Sequence, residues 1–341
     1  MSRAIGAGRA MSGACVALAL WLALPALAQT PSRRPTPLPP PKPHTATAPQ
    51  PQSADTNAEA TDLPYGAYQR GFFMTAFGLA TRAVEERGDV KAMTLLGILY
   101  SDGHGVPRDD VKAAQWFTLA AGRGDREAMF ALANLRMNGR GGPVDRAEAA
   151  KLYAAAAKLG HAGAAYNLGL LYLDDQLFPR DFARAAQLFR IAADAGSADA
   201  QYALATFYKD GRGVAKDPNE ATRLLAAASL ADHINAQVEY AIALFNGTGT
   251  AKNETAAIAL FRKAARRGSA IAQNRLARIL AAGLGVAADP VEAAKWHLIA
   301  KARGISDPWL DDFVDKLTPE QREAGEKTAK PWLEAQSPGG P

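Results

Sequence analysis

Apolar residues recur along this chain at spacings of three and four, the stripe that one face of a helix presents. Ala113, Trp116 and Ala120 set such a stripe, and it returns 36 residues later as Ala149, Leu152 and Ala156. Four more copies follow at Ala185-Leu188-Ala192, Ala221-Leu224-Ala228, Ala257-Leu260-Ala264 and Ala293-Trp296-Ala300. A second helical stripe precedes each one. Ala92, Ala128, Ala164, Ala200, Ala236 and Ala272 share one of its positions, and Leu96, Leu132, Leu168, Leu204, Tyr240 and Leu276 share another.

Polar, glycine-marked turns separate the stripes. Gly103 and Gly105 recur as Gly139 and Gly141, Gly211 and Gly213, Gly247 and Gly249, and Gly283 and Gly285, without a gap in any register. Each unit therefore reads as helix A, a Gly-x-Gly turn, helix B and a closing turn marked by Gly124, Gly160, Gly196, Asp232, Gly268 or Gly304. Because the glycine pair follows a helix and not a strand, it ends helix A with left-handed backbone angles and is no dinucleotide loop. Asp109, Asp145, Asp181, Asp217, Asn253 and Asp289 stand just before helix B, where they are expected to accept hydrogen bonds from its free amides. Pro218 and Pro290 then fall at the first helical position, where a missing amide costs nothing.

Two details vary within this scheme. His104 is answered by Arg140, Gln176, Arg212, Thr248 and Leu284, which reads as a solvated position. The third unit replaces its glycine pair with Asp175-Gln176-Leu177-Phe178, where Leu177 and Phe178 read either as a contact surface or as a locally repacked loop.

One helical hairpin cannot bury its own apolar face, so consecutive units must stack. The expected fold is all-α, a right-handed α/α superhelical solenoid of six 36-residue helix-turn-helix repeats over residues 89–304. Residues 64–88 read as a degenerate leading unit. Residues 305–334 read as capping helices that begin at Asp307-Pro308 and Thr318-Pro319, with a tail over 335–341.

The termini change the picture of where the protein works. Residues 1–28 carry Arg3 and Arg9, no acid, the apolar run Val16 to Leu24 and the small-residue end Ala26-Leu27-Ala28, which together read as a secretory signal peptide cleaved after Ala28. The expected location is the periplasm or the exterior, with no membrane span left after cleavage. The run is also readable as a retained anchor, although it is short and Pro25 interrupts it. Residues 29–63, rich in Pro, Thr, Ala and Gln, read as a disordered spacer with polyproline II character. Cys15 is the only cysteine, so a cleaved chain has no thiol for disulfides, catalysis or metal binding. The formal charge of +5 falls to +3 without Arg3 and Arg9, too slight to suggest a nucleic-acid partner.

The units resemble the Sel-one-like repeat family, relatives of the tetratricopeptide repeat. The resemblance rests on Ala162 to Tyr172 ("AGAAYNLGLLY") and Gly103 to Gly124 ("GHGVPRDDVKAAQWFTLAAGRG"), and its six copies cover about two-thirds of the chain. It implies a scaffold for protein partners, often in bacterial envelope, signalling or polysaccharide systems. Some cysteine-rich secreted members are described as β-lactamase-like or penicillin-binding, and this chain lacks those cysteines.

Positions that vary between units mark candidate surface. On helix A these include the row of Phe130, Tyr166, Tyr202 and Asn274, the row of Asn134 and Arg278, and the row of Lys209 and Phe245. By resemblance to tetratricopeptide folds they line a concave, partner-binding face. Phe130, Tyr166 and Tyr202 are expected to form an aromatic ladder for an extended peptide or loop, with ordinary packing between helices as the competing reading.

Candidate chemistry is sparse. The chain has no Ser-x-x-Lys, Gly-x-Ser-x-Gly, phosphate-binding loop or His-Glu-x-x-His, and its five histidines are scattered through a sequence expected to be extended. No cofactor or metal is expected, and the chain reads as a non-enzymatic scaffold. A cell-wall glycan binder and a β-lactamase-like hydrolase are the alternatives.

Overall fold

The structure is a computed structural model that describes residues 63–335. Residues 1–62, which hold the expected signal peptide and nearly all of the expected spacer, and the tail from residue 336 lie outside the described residues. The described part contains 16 α-helices and no strand. Repeat 1 pairs α3 (Val90–Asp102) with α4 (Asp110–Ala121), and repeat 2 pairs α5 (Arg126–Asn138) with α6 (Arg146–Lys158). Repeat 3 comprises α7 (Ala162–Asp174) and α8 (Phe182–Asp194), and repeat 4 comprises α9 (Ala198–Asp210) and α10 (Pro218–Leu230). Repeats 5 and 6 are α11 (Ile234–Asn246) with α12 (Glu254–Arg266), and α13 (Ala270–Ala282) with α14 (Pro290–Ala302). The leading unit is α1 (Leu63–Gln69) and α2 (Phe73–Arg87), and α15 (Pro308–Asp315) and α16 (Pro319–Glu334) close the far end.

Helix boundaries follow from the residues that satisfy free amides. All six expected caps of helix B accept a first-turn N–H, for instance Asp145 from Glu148 at 2.8 Å and Asn253 from Ala256 at 3.0 Å. Helix A is capped by Asp89, Asp125, His161, Ser197, His233 and Ser269. Thr318 and Gln321 form a reciprocal capping box at α16.

The two glycines of each turn do different jobs. The first, such as Gly139 at φ +65°, takes the left-handed angle that closes helix A. The second lies against the helix B start of the preceding unit. A Cβ on Gly141 would overlap the Asp110 carbonyl, and one on Gly249 would overlap that of Pro218. The turn is therefore an inter-repeat contact that only a residue without a side chain permits.

Alanine is buried wherever helices cross: Ala113, Ala149, Ala185, Ala257 and Ala293 are fully inaccessible. Larger side chains fill the spaces this leaves. Phe117, Tyr153, Phe189 and Phe261 share one register of helix B and are all buried, and a Cβ at Gly169 would come 2.7 Å from the Phe189 ring. Burying one such ring contributes about 2–3 kcal/mol. From α1 to α14 each helix packs on its neighbours in sequence, and α16 lies along α14 to cover the last repeat.

Two turns differ from the simple repeat. His104 is half-buried, against the expectation of a solvated position. Its ring stacks on Phe73 of the leading unit with centroids 4.3 Å apart, and its Nδ1 is buried. In repeat 3, Asp175 takes the left-handed angle itself at φ 58°. Leu177 and Phe178 fold back onto the core, Phe178 stacking on Tyr172 at 4.7 Å, so this is a repacked loop. Arg146 of the preceding helix B reaches Asp174 and Gln176 across the junction.

Candidate functional site

The residues expected to meet a partner lie on the A helices, and the structure divides them into distinct environments. Phe130 and Tyr202 are half-buried and stack on the capping histidines of the next repeat, Phe130 on His161 at 4.2 Å and Tyr202 on His233 at 4.6 Å. Each of these histidines accepts a first-turn amide at Nδ1, from Ala164 at 3.0 Å and from Ala236 at 3.1 Å. Each turns Nε2 toward a carboxylate of the preceding repeat, Glu127 at 3.0 Å and Asp199 at 3.4 Å. The neutral Nε2–H tautomer is the one that satisfies both contacts. The His233 hydrogen bond also holds Asp199 below the ordinary carboxylate range.

Tyr166 stands in the same row, tilted against Phe189 at 5.5 Å. Burial raises the hydroxyl pKa of both Tyr166 and Tyr202. The three rings thus pack between helices while keeping part of their surface open.

The polar positions are bound into local networks. Asn134 accepts the Tyr153 hydroxyl at 2.6 Å, and burial pushes that tyrosine up to about 12. Lys209 is exposed and pairs with Glu239 at 3.0 Å. Asn274 and Arg278 turn toward the C-terminal cap and hold Asp307, which is 3% exposed. Burial works against the charged carboxylate, but the hydrogen bonds from Arg278 and Asn274 outweigh it and keep Asp307 below its usual value. Phe245 is 7% exposed and belongs to the core, since its helix turns that position onto the neighbouring helices. It offers no surface to a partner.

The A-helix caps are absent from the expectations above. A signal for the caps exists: residues 89, 125, 161, 197, 233 and 269 are each 36 apart, and every one is a hydrogen-bond acceptor.

Among the described residues no cluster of His, Cys, Asp or Glu is placed to hold a metal ion, and no helix is long and apolar enough to cross a membrane. An open groove at the α11 and α13 N-termini is lined by Asp232, His233, Arg267 and Ser269.

A stack of helical hairpins with a constant core and a variable A-helix face defines a repeat scaffold. The Sel1 repeat family model matches residues 90–125, 126–161, 162–197, 198–233, 234–269 and 270–305, and the chain belongs to that family. Sel1 repeats form non-catalytic scaffolds that typically bind proteins.

Solved structures agree with this assignment. The Escherichia coli protein c5321, a protective antigen present in uropathogenic strains and displaying an SLR fold, is 26% identical with a TM-score of 0.69, over 82% of this chain and 64% of that one. A Sel1 repeat protein from Oxalobacter formigenes is 27% identical with a TM-score of 0.59, over 75% of this chain and 100% of that one. This chain thus spans 64% of the length of the Escherichia coli protein. No curated protein sequence matches it.

Proposed function

We propose that this Sel1 repeat protein is an exported, non-enzymatic scaffold that holds a protein partner in the periplasm or outside the cell, within an envelope signalling or polysaccharide system. The observation that carries the reading is the half-open row of Phe130, Tyr166 and Tyr202, three aromatic side chains at one register of consecutive A helices. Rigid rings of this kind give large contact area at low entropic cost. Export is supported by Arg3, Arg9, the apolar run Val16 to Leu24 and the Ala26-Leu27-Ala28 end.

Crosslinking in source cells followed by capture of the tagged chain tests the scaffold. Tyr166→Ala with Tyr202→Ala should abolish recovery of the crosslinked partner while leaving a folded protein. Loss of stability with unaltered capture would refute the aromatic row as the contact. Mass spectrometry of the same material tests export, with Gln29 expected as the first residue. An intact residue 1–28 segment would replace cleavage with anchoring.

A further inference from the structure

The C-terminal ends of the B helices, with the closing turns that follow them, concentrate positive charge. Residues 118–124, 154–160, 190–196, 226–232, 262–268 and 298–304 together hold nine basic residues and two acidic ones, Asp194 and Asp232. Their net of +7 exceeds the +5 of the whole chain. Four of the nine, Arg262, Lys263, Arg266 and Arg267, belong to repeat 5. One cation in the last turn of a helix complements its dipole. Four exceed that need, because Arg262 and Arg266 are like charges at i and i+4 and repel each other on the helix surface. Packing does not require them either, since the same positions in repeat 4 are Ala226, Ala227, Leu230 and Ala231.

Contacts between units join these charges into one continuous surface. Lys263 donates to the Asp232 carboxylate at 2.7 Å and Arg267 to the Asp232 carbonyl at 2.8 Å, while Arg303 reaches the Gly268 carbonyl. The closing turns of repeats 4, 5 and 6 are thereby laced together, and the groove beside them has Ile234 and Ile271 on its walls. Aliphatic side chains project from the same surface. Leu230, the last residue of α10, is 89% exposed, and Ile271 is 46% exposed. The ends of the B helices in repeats 1–3 likewise expose Leu119, Leu159 and Ile191. A single exposed aliphatic residue is ordinary, but here one recurs at the end of helix B in four consecutive repeats. Exposed cations around projecting aliphatic side chains suit an anionic bilayer, whose headgroup phosphates meet Lys and Arg while leucine enters the interface. The charges are spread over several turns, which matches the laterally mobile charge of lipids better than the fixed charge of an acidic protein.

We propose that the closing-turn surface of repeats 4–6 docks this protein on a bilayer containing anionic phospholipids, with Arg262 and Arg266 meeting headgroup phosphates and Leu230 entering the interface. The proposal uses none of the A-helix rings, so it stands or falls separately from the aromatic row.

The test is co-sedimentation of the full chain with vesicles of phosphatidylcholine alone and of phosphatidylcholine and phosphatidylglycerol in equal parts. Every variant keeps the same N-terminus, so differences among them report this surface. Binding should be tighter to the anionic vesicles and should weaken with added salt. Arg262→Gln with Arg266→Gln should weaken it at least about tenfold, whereas Arg262→Lys with Arg266→Lys should retain it. Leu230→Ser should weaken it about fivefold, through loss of an aliphatic side chain from an apolar interface. The Gln and Ser variants should melt no lower than the parent, because they relieve a like-charge pair and replace an exposed leucine. Equal binding to the two vesicles, binding to neither, or a double Gln variant that binds like the parent would overturn the proposal. Retention of polyglutamate with the vesicles left unbound would overturn it in favour of an acidic protein, and displacement by inorganic phosphate beyond the effect of equal ionic strength in favour of a free anion.

Discussion

The rings of Phe130 and His161, one repeat apart, stack with centroids 4.2 Å apart and planes 26° from parallel. Since the same imidazole caps α7 through Nδ1 and meets Glu127 through Nε2, one side chain is fixed to its own repeat and makes two contacts to the preceding one. Tyr202, His233 and Asp199 repeat the arrangement between repeats 4 and 5.

This clasp predicts coupling between residues distant in sequence. His161→Ser keeps a capping oxygen but loses the stack, whereas His161→Ala loses both and should cost about 1 kcal/mol more. A double-mutant cycle of His161→Ser with Phe130→Leu, read by denaturant unfolding, should give a coupling of about 0.5–1.5 kcal/mol. Additive effects would show that the rings merely adjoin.

Turn glycines should differ in tolerance according to what they face. Gly124, at φ +90° with nothing within 4 Å of an added Cβ, should accept Ala at the cost of its left-handed backbone alone, about 1–2 kcal/mol. Gly141→Ala adds a clash with the Asp110 carbonyl and should cost about 1–3 kcal/mol beyond that. Equal losses in thermal unfolding would contradict the close approach between repeats.

Asp110 should make the junction between repeats 1 and 2 acid-sensitive. The Arg140 hydrogen bonds, at 2.6 and 3.0 Å, are the main cause that brings its carboxyl down from 3.8 to about 2, with Arg108 assisting. The folded carboxylate thus resists protons that the unfolded chain would take up. Its stabilisation is present above about pH 4 and is lost as pH falls toward 2. Arg140→Ala should remove this part of the stability profile between pH 5 and pH 2, and an unchanged slope would argue against it.

The C-terminal cap depends on Asp307, which binds Arg278 and Asn274 and also caps α15 at Leu310. Asp307→Ala leaves Arg278 without its buried partner and should cost about 3 kcal/mol. Limited proteolysis should then cut first between Arg303 and Leu317. A variant as resistant as the parent would mean that α14 and α16 hold the cap unaided.

The 36-residue period, the alternation of helix and turn, the helix B caps and the small residues at helix crossings were legible in the sequence. Each is set by local chemistry, because a cap satisfies amides within its own first turn and an apolar stripe is fixed by helical geometry. The sequence also separated constant from variable positions, and so located the A-helix face.

Which variable positions stay open to a partner was decided only by the tertiary structure. Phe245 and Lys209 share a register, yet one is core and the other is exposed. Asn274 and Arg278 sit in rows that look free, but at the last repeat the neighbour is α15, whose Asp307 engages both. His104 and His161 occupy turns in the sequence and aromatic stacks in the structure. The reason is common to all of them: a repeat fixes what a residue does within its own hairpin, whereas the charge and ring contacts that decide its availability come from the adjoining unit, across some thirty residues of chain.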